Sequence, residues 1–414
     1  MTVALAVFAL TYLAIAAGRV PYLSLDRPAT ALLGAVLMVA AGVLSPAQAG
    51  AAVNGDTLGL LLGMMVLAAY LTEAGFFRWA SWKVVTSVST PRALLWGLAL
   101  SSGALSAFLV NDTVCLMMTP LVLRIVDDAD LPPIPFLLAV AFGSNAGSAA
   151  TLTGNPQNMI VGTLSGISYL RFAAALALPA ASSLLAVAGL LHLMFRKVLP
   201  HRPLTVAGHL PRPGVDRALL WNALLATLLV LVGFLCGLPL AWTALAGAAL
   251  AMAVGGRAPR EALMRVDWPL LLFFGGLFVV VAGVARSGAA ERMHEGLAPF
   301  LGHGAVRQAG AFSIFTVLAS QLVSNVPFVL LAGEWIPRLA EPTFLWLATA
   351  LAATLAGNLT VVGSVANLIV LELAGERGRI GFWRFSGYGA VVTTATMLIS
   401  LAILVMERSL GWLG

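Results

Sequence analysis

The sequence predicts an all-α polytopic membrane protein of about ten spans and two re-entrant hairpins, arranged as two inverted repeats. Three observations predict it. The chain is 60% hydrophobic and only 10% charged over 414 residues, against roughly half apolar and a quarter charged in soluble domains. Small polar residues built around asparagine interrupt the apolar sequence at two places in each half. Lys and Arg fall mostly on one side of the topology that these runs and breaks define.

From the N-terminus, apolar runs place spans near residues 2–18, 28–46 and 57–76. No basic stretch precedes the first run, so it reads as a retained span and not as a signal peptide. Residues 92–126 give an apolar arm, a polar tip at Asn111-Asp112-Thr113 and a second arm. Each arm is short for a crossing of roughly twenty residues, which predicts a hairpin returning to its own side. Residues 132–169, interrupted by Gly154-Asn155-Pro156-Gln157-Asn158, read as a broken span, and 171–195 closes the half.

The second half repeats the series: spans near 217–235, 238–255 and 268–286, a hairpin over 307–337 with its tip at Ser324-Asn325-Val326-Pro327, a broken span over 342–374, and a last span near 384–406. Asn111 aligns with Asn325, and residues 154–161 align with 363–370. Repeat 1 is therefore 1–200 and repeat 2 is 214–414, joined by a basic linker at 201–217 that is rich in Pro and Gly and has no apolar periodicity. A hairpin does not cross, so each half makes an odd number of crossings and the second half lies upside down relative to the first.

Positive charge fixes the sides, because Lys and Arg near span ends accumulate in the cytoplasm. Arg171, Arg286, Arg292, Arg307, Arg338 and Arg408 fall on one side; the other 17 of the 23 basic residues, among them Arg19, Arg27, Arg92, Arg257, Arg265 and Arg377, fall on the opposite side. This predicts an integral protein of the plasma (inner) membrane with both termini outside. The first hairpin then enters from the cytoplasm and the second from the exterior. The net charge of +6 is explained by the membrane surface and needs no nucleic-acid partner.

Two cysteines and five scattered histidines, His192, His201, His209, His294 and His303, offer neither a disulfide framework nor metal-ligand spacing. No nucleophile stands beside a positioned base, and no nucleotide-binding loop is present to drive primary transport. The expectation is a non-enzyme without cofactor, acting on a small molecule or ion in the lipid bilayer.

Unwound backbone at membrane depth is tolerated only where it faces protein or a water-filled cavity. Where a half-helix restarts, its free N–H groups and positive dipole end suit an anion or polar solute, and the preceding carbonyls suit a cation. Asparagine supplies donors and an acceptor there without a buried net charge. The expected substrate-binding set is Asn111, Thr113, Asn155, Asn158, Ser324, Asn325, Thr360, Ser364 and Asn367, with Asn358 in the wider lining. The alternative for each Asn is a cap on its own half-helix.

Asp112 is the one carboxylate at the centre of a break, and an intramembrane acid marks a proton or cation pathway. The expected coupling-ion set is Asp112 with Asn111, Thr153 and Gly154, binding H+ or Na+; the alternative is that Asp112 caps the second hairpin arm. Val326 stands at the matching place in the second half, so any acid-base role is asymmetric. Glu73 and Arg286 end corresponding third spans and are expected to anchor at the interface. Asp127, Asp128 and Asp130 are expected to be solvated. Cys115, beside the first tip, reads as a small buried hydrophobe.

These motifs resemble a known family. Phe108-Leu109-Val110-Asn111-Asp112-Thr113 followed by Thr119-Pro120, with Gly154-Asn155-Pro156-Gln157-Asn158, Ser324-Asn325-Val326-Pro327 and the stretch from Gly357 to Asn367, are similar to the citrate-transporter-like proteins of the ion transporter superfamily. That group includes arsenite efflux pumps, divalent anion symporters and sodium/proton antiporters. The resemblance implies a homodimer with a scaffold part, 1–91 and 203–306, and a transport part, 92–200 and 307–414, that moves by an elevator mechanism. The tips depart from the Ser-Asn-Thr signature of the divalent anion symporters. Asn111-Asp112 and Asn325-Val326-Pro327 are closer to arsenite pumps, although residues 356–367 lack the acidic and lysine residues of those pumps. The resulting expectation is an ion-coupled secondary transporter of a small anion or oxyanion-like solute such as arsenite; the alternatives are a sodium/proton antiporter and a non-transporting membrane scaffold or receptor.

Overall fold

A computed structural model describes residues 1–17, 25–200, 202–204, 212–256 and 258–413. Arg19, Arg257, His201 and linker residues 205–211, His209 among them, lie outside the described residues. Helix accounts for 80% of the described residues, and no strand occurs among them. The first half contains α1 (Thr2–Ala17), α2 (Arg27–Ala40), α3 (Pro46–Ala52), α4 (Gly55–Glu73), α5 (Phe76–Thr86), α6 (Pro91–Phe108), α7 (Asn111–Asp128), α8 (Pro133–Ser148), α9 (Pro156–Ser165) and α10 (Tyr169–Phe195). The second contains α11 (Arg217–Leu235), α12 (Leu240–Val254), α13 (Pro259–Leu263), α14 (Trp268–Arg286), α15 (Ala289–Leu301), α16 (Ala305–Val323), α17 (Asn325–Ala332), α18 (Pro342–Ala356), α19 (Val365–Ala374) and α20 (Phe382–Ser409).

The two series match element for element, down to their local signals. Asn54 caps α4 by accepting from Thr57 N at 2.8 Å, and Asp267 caps α14 by accepting from Leu270 N at 2.9 Å. Gly75 and Gly288, at φ 84° and 75°, take the left-handed conformation that lets the chain turn sharply into α5 and α15. The breaks fall where the sequence places them: helix stops at Ser148 and restarts at Pro156, and stops at Ala356 and restarts at Val365.

Three expectations about lengths change. Among the described residues only α4, α10, α11, α14 and α20 are long and apolar enough to span alone, while α1, α2, α12 and α18 are shorter apolar helices. The expected span at 28–46 ends at Ala40, because Gly42 at φ 69° stops it and Ser45 caps a separate α3. The hairpin arms are not uniformly short: α6, α7 and α16 have 18, 18 and 19 residues, and only α17, with 8, is brief. The far end of α7 lies at a polar surface, where Arg124 and Asp128 pair while exposed, and this accommodates the extra length.

Packing follows the repeat reciprocally. α4 of the first half lies on α12 of the second, and α14 of the second lies on α2 of the first. This crossed exchange is the signature of a two-fold relation between equivalent elements. α10 packs on α20, held by a buried bond between the Ser183 and Ser400 hydroxyls. α6 and α8 approach closely because a Cβ on Gly147 would stand 2.1 Å from the Gly103 carbonyl oxygen; small residues of this kind drive helix association in lipid.

Charged side chains segregate into two groups. In one, Arg265 pairs with Glu73, Arg377 with Asp127, and Arg202 donates to the carbonyls of Ala129 and Asp130. In the other, Arg338 pairs with Glu291, Arg408 with Glu341, and Arg171 donates to the Leu413 carbonyl. Each contact joins residues that the charge distribution assigns to one side. Glu73 and Asp127 thereby acquire partners that the sequence reading did not give them; the partners come from distant chain segments. Such surface pairs contribute little to stability, because water screens them.

Candidate functional site

The four breaks meet. Hairpin 1 turns at Leu109 and Val110 in extended backbone, and α7 begins with Asn111, whose N–H donates to the Gly154 carbonyl at 3.0 Å. The first tip is therefore tied to the first broken span. Gly154 is required at this contact, since a Cβ there would lie 2.1 Å from the Ser148 carbonyl oxygen. The Asn111 amide donates to Asn145 Oδ1 at 3.1 Å; Asn145 donates to Asn358 Oδ1 at 2.9 Å and to Asn367 Oδ1 at 3.3 Å, and accepts from the Ser364 hydroxyl at 3.0 Å. Asn145, on α8, which is buried from Pro135 to Ser148, thus bonds the first hairpin to the second broken span.

The unwound stretches expose carbonyls that must be paired in an apolar interior. Two asparagines do this identically: Asn158 donates to the carbonyls of Ser148 (3.2 Å) and Thr151 (3.0 Å), and Asn367 to those of Gly357 (2.7 Å) and Thr360 (3.0 Å). Asn155 caps α9 through the Asn158 N–H at 2.8 Å and donates to the hydroxyls of Ser148 and Thr354. Thr360 donates to Gln321 Oε1 at 2.8 Å, and Gln321 donates to the Ala356 carbonyl at 2.9 Å. Thr153 meets Thr151 and Tyr169 within the interior.

Above this network lies a cavity of about 210 Å³. Its floor is Asn111, Asp112, Pro156, Gln157, Ser324, Asn325, Val326, Gly363, Ser364 and Val365; its opposite wall is Arg27, Pro28, Asp267, Pro269, Leu270, Phe273 and Phe274. The N-termini of α7, α9, α17 and α19 all reach the floor, so four positive dipole ends converge on it. An adjoining cavity of about 160 Å³ separates Asp112, Thr113 and Met117 from Met65, Ala69 and Thr72 of α4, with Arg265 and Asp267 at its edge.

Of the expected residues, Asn111, Asp112, Ser324, Asn325 and Ser364 border the main cavity and Thr113 borders the adjoining one. Asn155, Asn158, Asn367, Thr153 and Gly154 do not line it: they are engaged in holding the unwound segments beneath it. Thr360 is likewise bound to Gln321. Asp112 does not cap α7, which has no side-chain cap; its half-buried carboxylate has no hydrogen-bond partner among the described residues. Asn111 and Asn325 are 4% and 7% exposed, and each has a side-chain oxygen without a partner. Ser324 sits at φ 72°, ψ 159°, a region otherwise almost reserved for glycine, at a strain of about 1–3 kcal/mol.

Sequence reasoning missed Arg27, Asp267, Asn145 and Gln321. Asn145 and Gln321 carried a signal, a polar amide inside an apolar segment. Arg27 and Asp267 carried none, because each reads as an ordinary helix-end residue until the tertiary fold brings α2 and α14 against the tips.

Hairpins and broken helices converging on a cavity inside an apolar helical bundle define an integral membrane transporter of the ion transporter superfamily. The comparisons agree. A family model described as citrate transporter matches residues 10–342, and the chain belongs to this family. It is 31% identical over 422 residues to an uncharacterized transporter of Mycobacterium tuberculosis, covering 97% of each chain. It is 30% identical over 454 residues to the silicon efflux transporter LSI3 of Oryza sativa subsp. japonica, covering 93% of each, and 28% identical over 504 residues to the putative transporter arsB of Dictyostelium discoideum, covering 93% of this chain and 88% of that one. The crystal structure of the Alcanivorax borkumensis YdaH transporter, described there as having an unusual topology, shares the fold with a TM-score of 0.56 at 17% identity, covering 100% of this chain and 98% of that one.

Proposed function

We propose that the protein is a proton-coupled secondary transporter of a small, uncharged, polyhydroxylated acid, of the kind exemplified by silicic or arsenous acid, and that it works by an elevator movement. In this reading 92–200 with 307–414 is the transport part, 1–91 with 203–306 is the scaffold, and the halves are inverted across the membrane. The cavity described above then opens toward the cytoplasm.

One observation carries the movement. The scaffold has two edges related by the repeat: the heads of α2 and α14, and the heads of α12 and α4. The first edge borders the tips, including Pro156 at the start of α9. The second edge, Asp56 with Pro239, Leu240 and Ala241, borders Gly162 to Tyr169 at the far end of α9, and there Thr57 and Thr163 share a hydrogen bond of 2.7 Å. From Thr163 back to Pro156 is seven residues, or roughly 10 Å of helix at 1.5 Å per residue. Sliding the transport part by that amount brings the tips to the second edge and exchanges the two equivalent arrangements.

The chemistry of the cavity supports the solute class. Helix N-termini supply donors, the Asn111 and Asn325 oxygens and Asp112 supply acceptors, and a hydroxylated acid satisfies both kinds. Two carboxylates against the single Arg27 disfavour a multiply charged anion. The silicon efflux relative points the same way. Asp112 is the coupling carboxylate in this scheme. A homodimer formed through the scaffold, as the family resemblance implies, belongs to the same reading.

The test is counterflow in proteoliposomes. Arsenite and silicic acid at neutral pH should exchange, citrate should not, and Asp112→Asn should abolish stimulation by a pH gradient. Exchange of citrate without exchange of either hydroxylated acid would overturn the assignment.

A further inference from the structure

Two carboxylates face the space between the two parts, and the repeat makes both of them exceptional. Asp112 and Asp267 line both cavities and are electrostatic neighbours. In the second half the place of Asp112 is taken by Val326; in the first half the place of Asp267 is taken by Asn54. Capping accounts for an Asx residue at the head of each helix, since Asn54 and Asp267 each accept from the third N–H beyond them at 2.8 and 2.9 Å. It does not account for a charge, because Asn caps as well as Asp. Only the member of the pair that borders the cavity with the tips is charged at the cap itself; the first half carries its carboxylate two residues further on, at Asp56, which borders the second edge.

A second observation points to a ligand between these groups. Asn111 and Asn325, nine-tenths buried and lining the same cavity, each keep a side-chain oxygen without a partner. A buried acceptor left unpaired is costly, so this part of the cavity is built to receive a donor or a positive charge.

We propose that Asp267 makes the empty, ionised carrier avoid this face: it repels the first tip while the Asp112 carboxylate is charged and vacant, and ceases to do so once Asp112 holds a proton. The inference rests on the reading of Asp112 as the coupling carboxylate of a moving part. The charged groups facing Asp112 are Asp267 at the head of α14, Arg27 at the head of α2, which offsets part of the repulsion, and Arg265, which is held by Glu73 of α4. α9, α17 and α19 present no charged group to the cavities. Asp267 stays with the scaffold, so displacement of the tip by roughly 10 Å, comparable to the Debye length in physiological salt, removes most of the interaction.

The experiment uses the reconstituted full chain with Val365→Cys as reporter, since Val365 lines the cavity and is 40% exposed, and with Cys236→Ser to remove the exposed native thiol. Labelling by an impermeant maleimide from the cavity side is followed without solute. Asp267→Asn, which keeps the cap as Asn54 does, should accelerate labelling above neutral pH by roughly threefold, the order expected for like charges across a hydrated cavity. Asp267→Glu should label as the parent does, the ratio of Asp267→Asn to parent rates taken at each pH, which cancels the thiol's own pH dependence, should fall to one on acidification, and in an Asp112→Asn background Asp267→Asn should add nothing. Equal labelling of Asp267→Asn and parent at every pH, or acceleration that persists without the Asp112 charge, would overturn the proposal. If Asp112→Asn alone leaves both labelling and the pH response of counterflow unchanged, the underlying coupling assignment fails instead.

Discussion

Locking the Thr57–Thr163 contact should stop transport in one defined state. The two hydroxyls are 2.7 Å apart across the interface between α4 and α9, so cysteines at these positions stand within reach of a disulfide. A disulfide holds its Cα atoms within about 7 Å, whereas the movement inferred from α9 carries Thr163 past Thr57 by roughly 10 Å. The bridge and the movement are incompatible. In a Cys236→Ser background, the oxidised Thr57→Cys/Thr163→Cys protein should therefore show counterflow at the level of empty liposomes, and dithiothreitol should restore it. The reduced pair lacks the native bond, worth about 1 kcal/mol, so it should favour the other state by several-fold. A cavity-side reporter at Val365 should remain labelled in the oxidised protein, because the lock holds the cavity open. Transport at the parental rate with the bridge demonstrably formed would refute the sliding of α9 against α4.

Other perturbations address the site's construction. Asn145→Ala removes the amide that bonds Asn111, Asn358, Ser364 and Asn367 and should destabilise by about 2–4 kcal/mol, read as a lower unfolding temperature in detergent; a shift within error would show that the network is dispensable. Gly154→Ala places a Cβ against the Ser148 carbonyl and should both destabilise and impair counterflow. Ser324→Gly relieves the φ 72° strain and should raise the unfolding temperature, by an amount corresponding to about 1 kcal/mol. The hydrogen bond from Arg408 holds the Glu341 carboxyl below its usual range, so the pair contributes stability above the ordinary carboxylate range that is lost as pH falls through the lowered value; Arg408→Gln should flatten the acid limb of thermal stability.

Much of the fold is legible in the sequence because a membrane enforces simple rules. Apolar runs must be helical, and any interruption must face protein or water; hence the breaks at 149–155 and 357–364 fall where Gly154, Pro156 and Gly363 place them. The direction in which each polar side chain points is not legible. Asn111, Asn155 and Asn158 look alike in the sequence, yet the first borders the cavity while the other two satisfy unwound backbone beneath it, and only the positions of α8 and α18 decide which.

By itself, then, the sequence determined that this is a duplicated transporter with asparagine-centred breaks and a carboxylate, Asp112, at the centre of the first, since residue type and position in the apolar runs suffice for those inferences. The tertiary structure alone decided that Asn145 is the hub of the breaks, that Arg27 and Asp267 face the tips, and that the heads of α2 and α14 meet α9 at its start while the heads of α4 and α12 meet it at its far end. Those features depend on contacts between segments far apart in the chain, and local propensity carries no information about such distances.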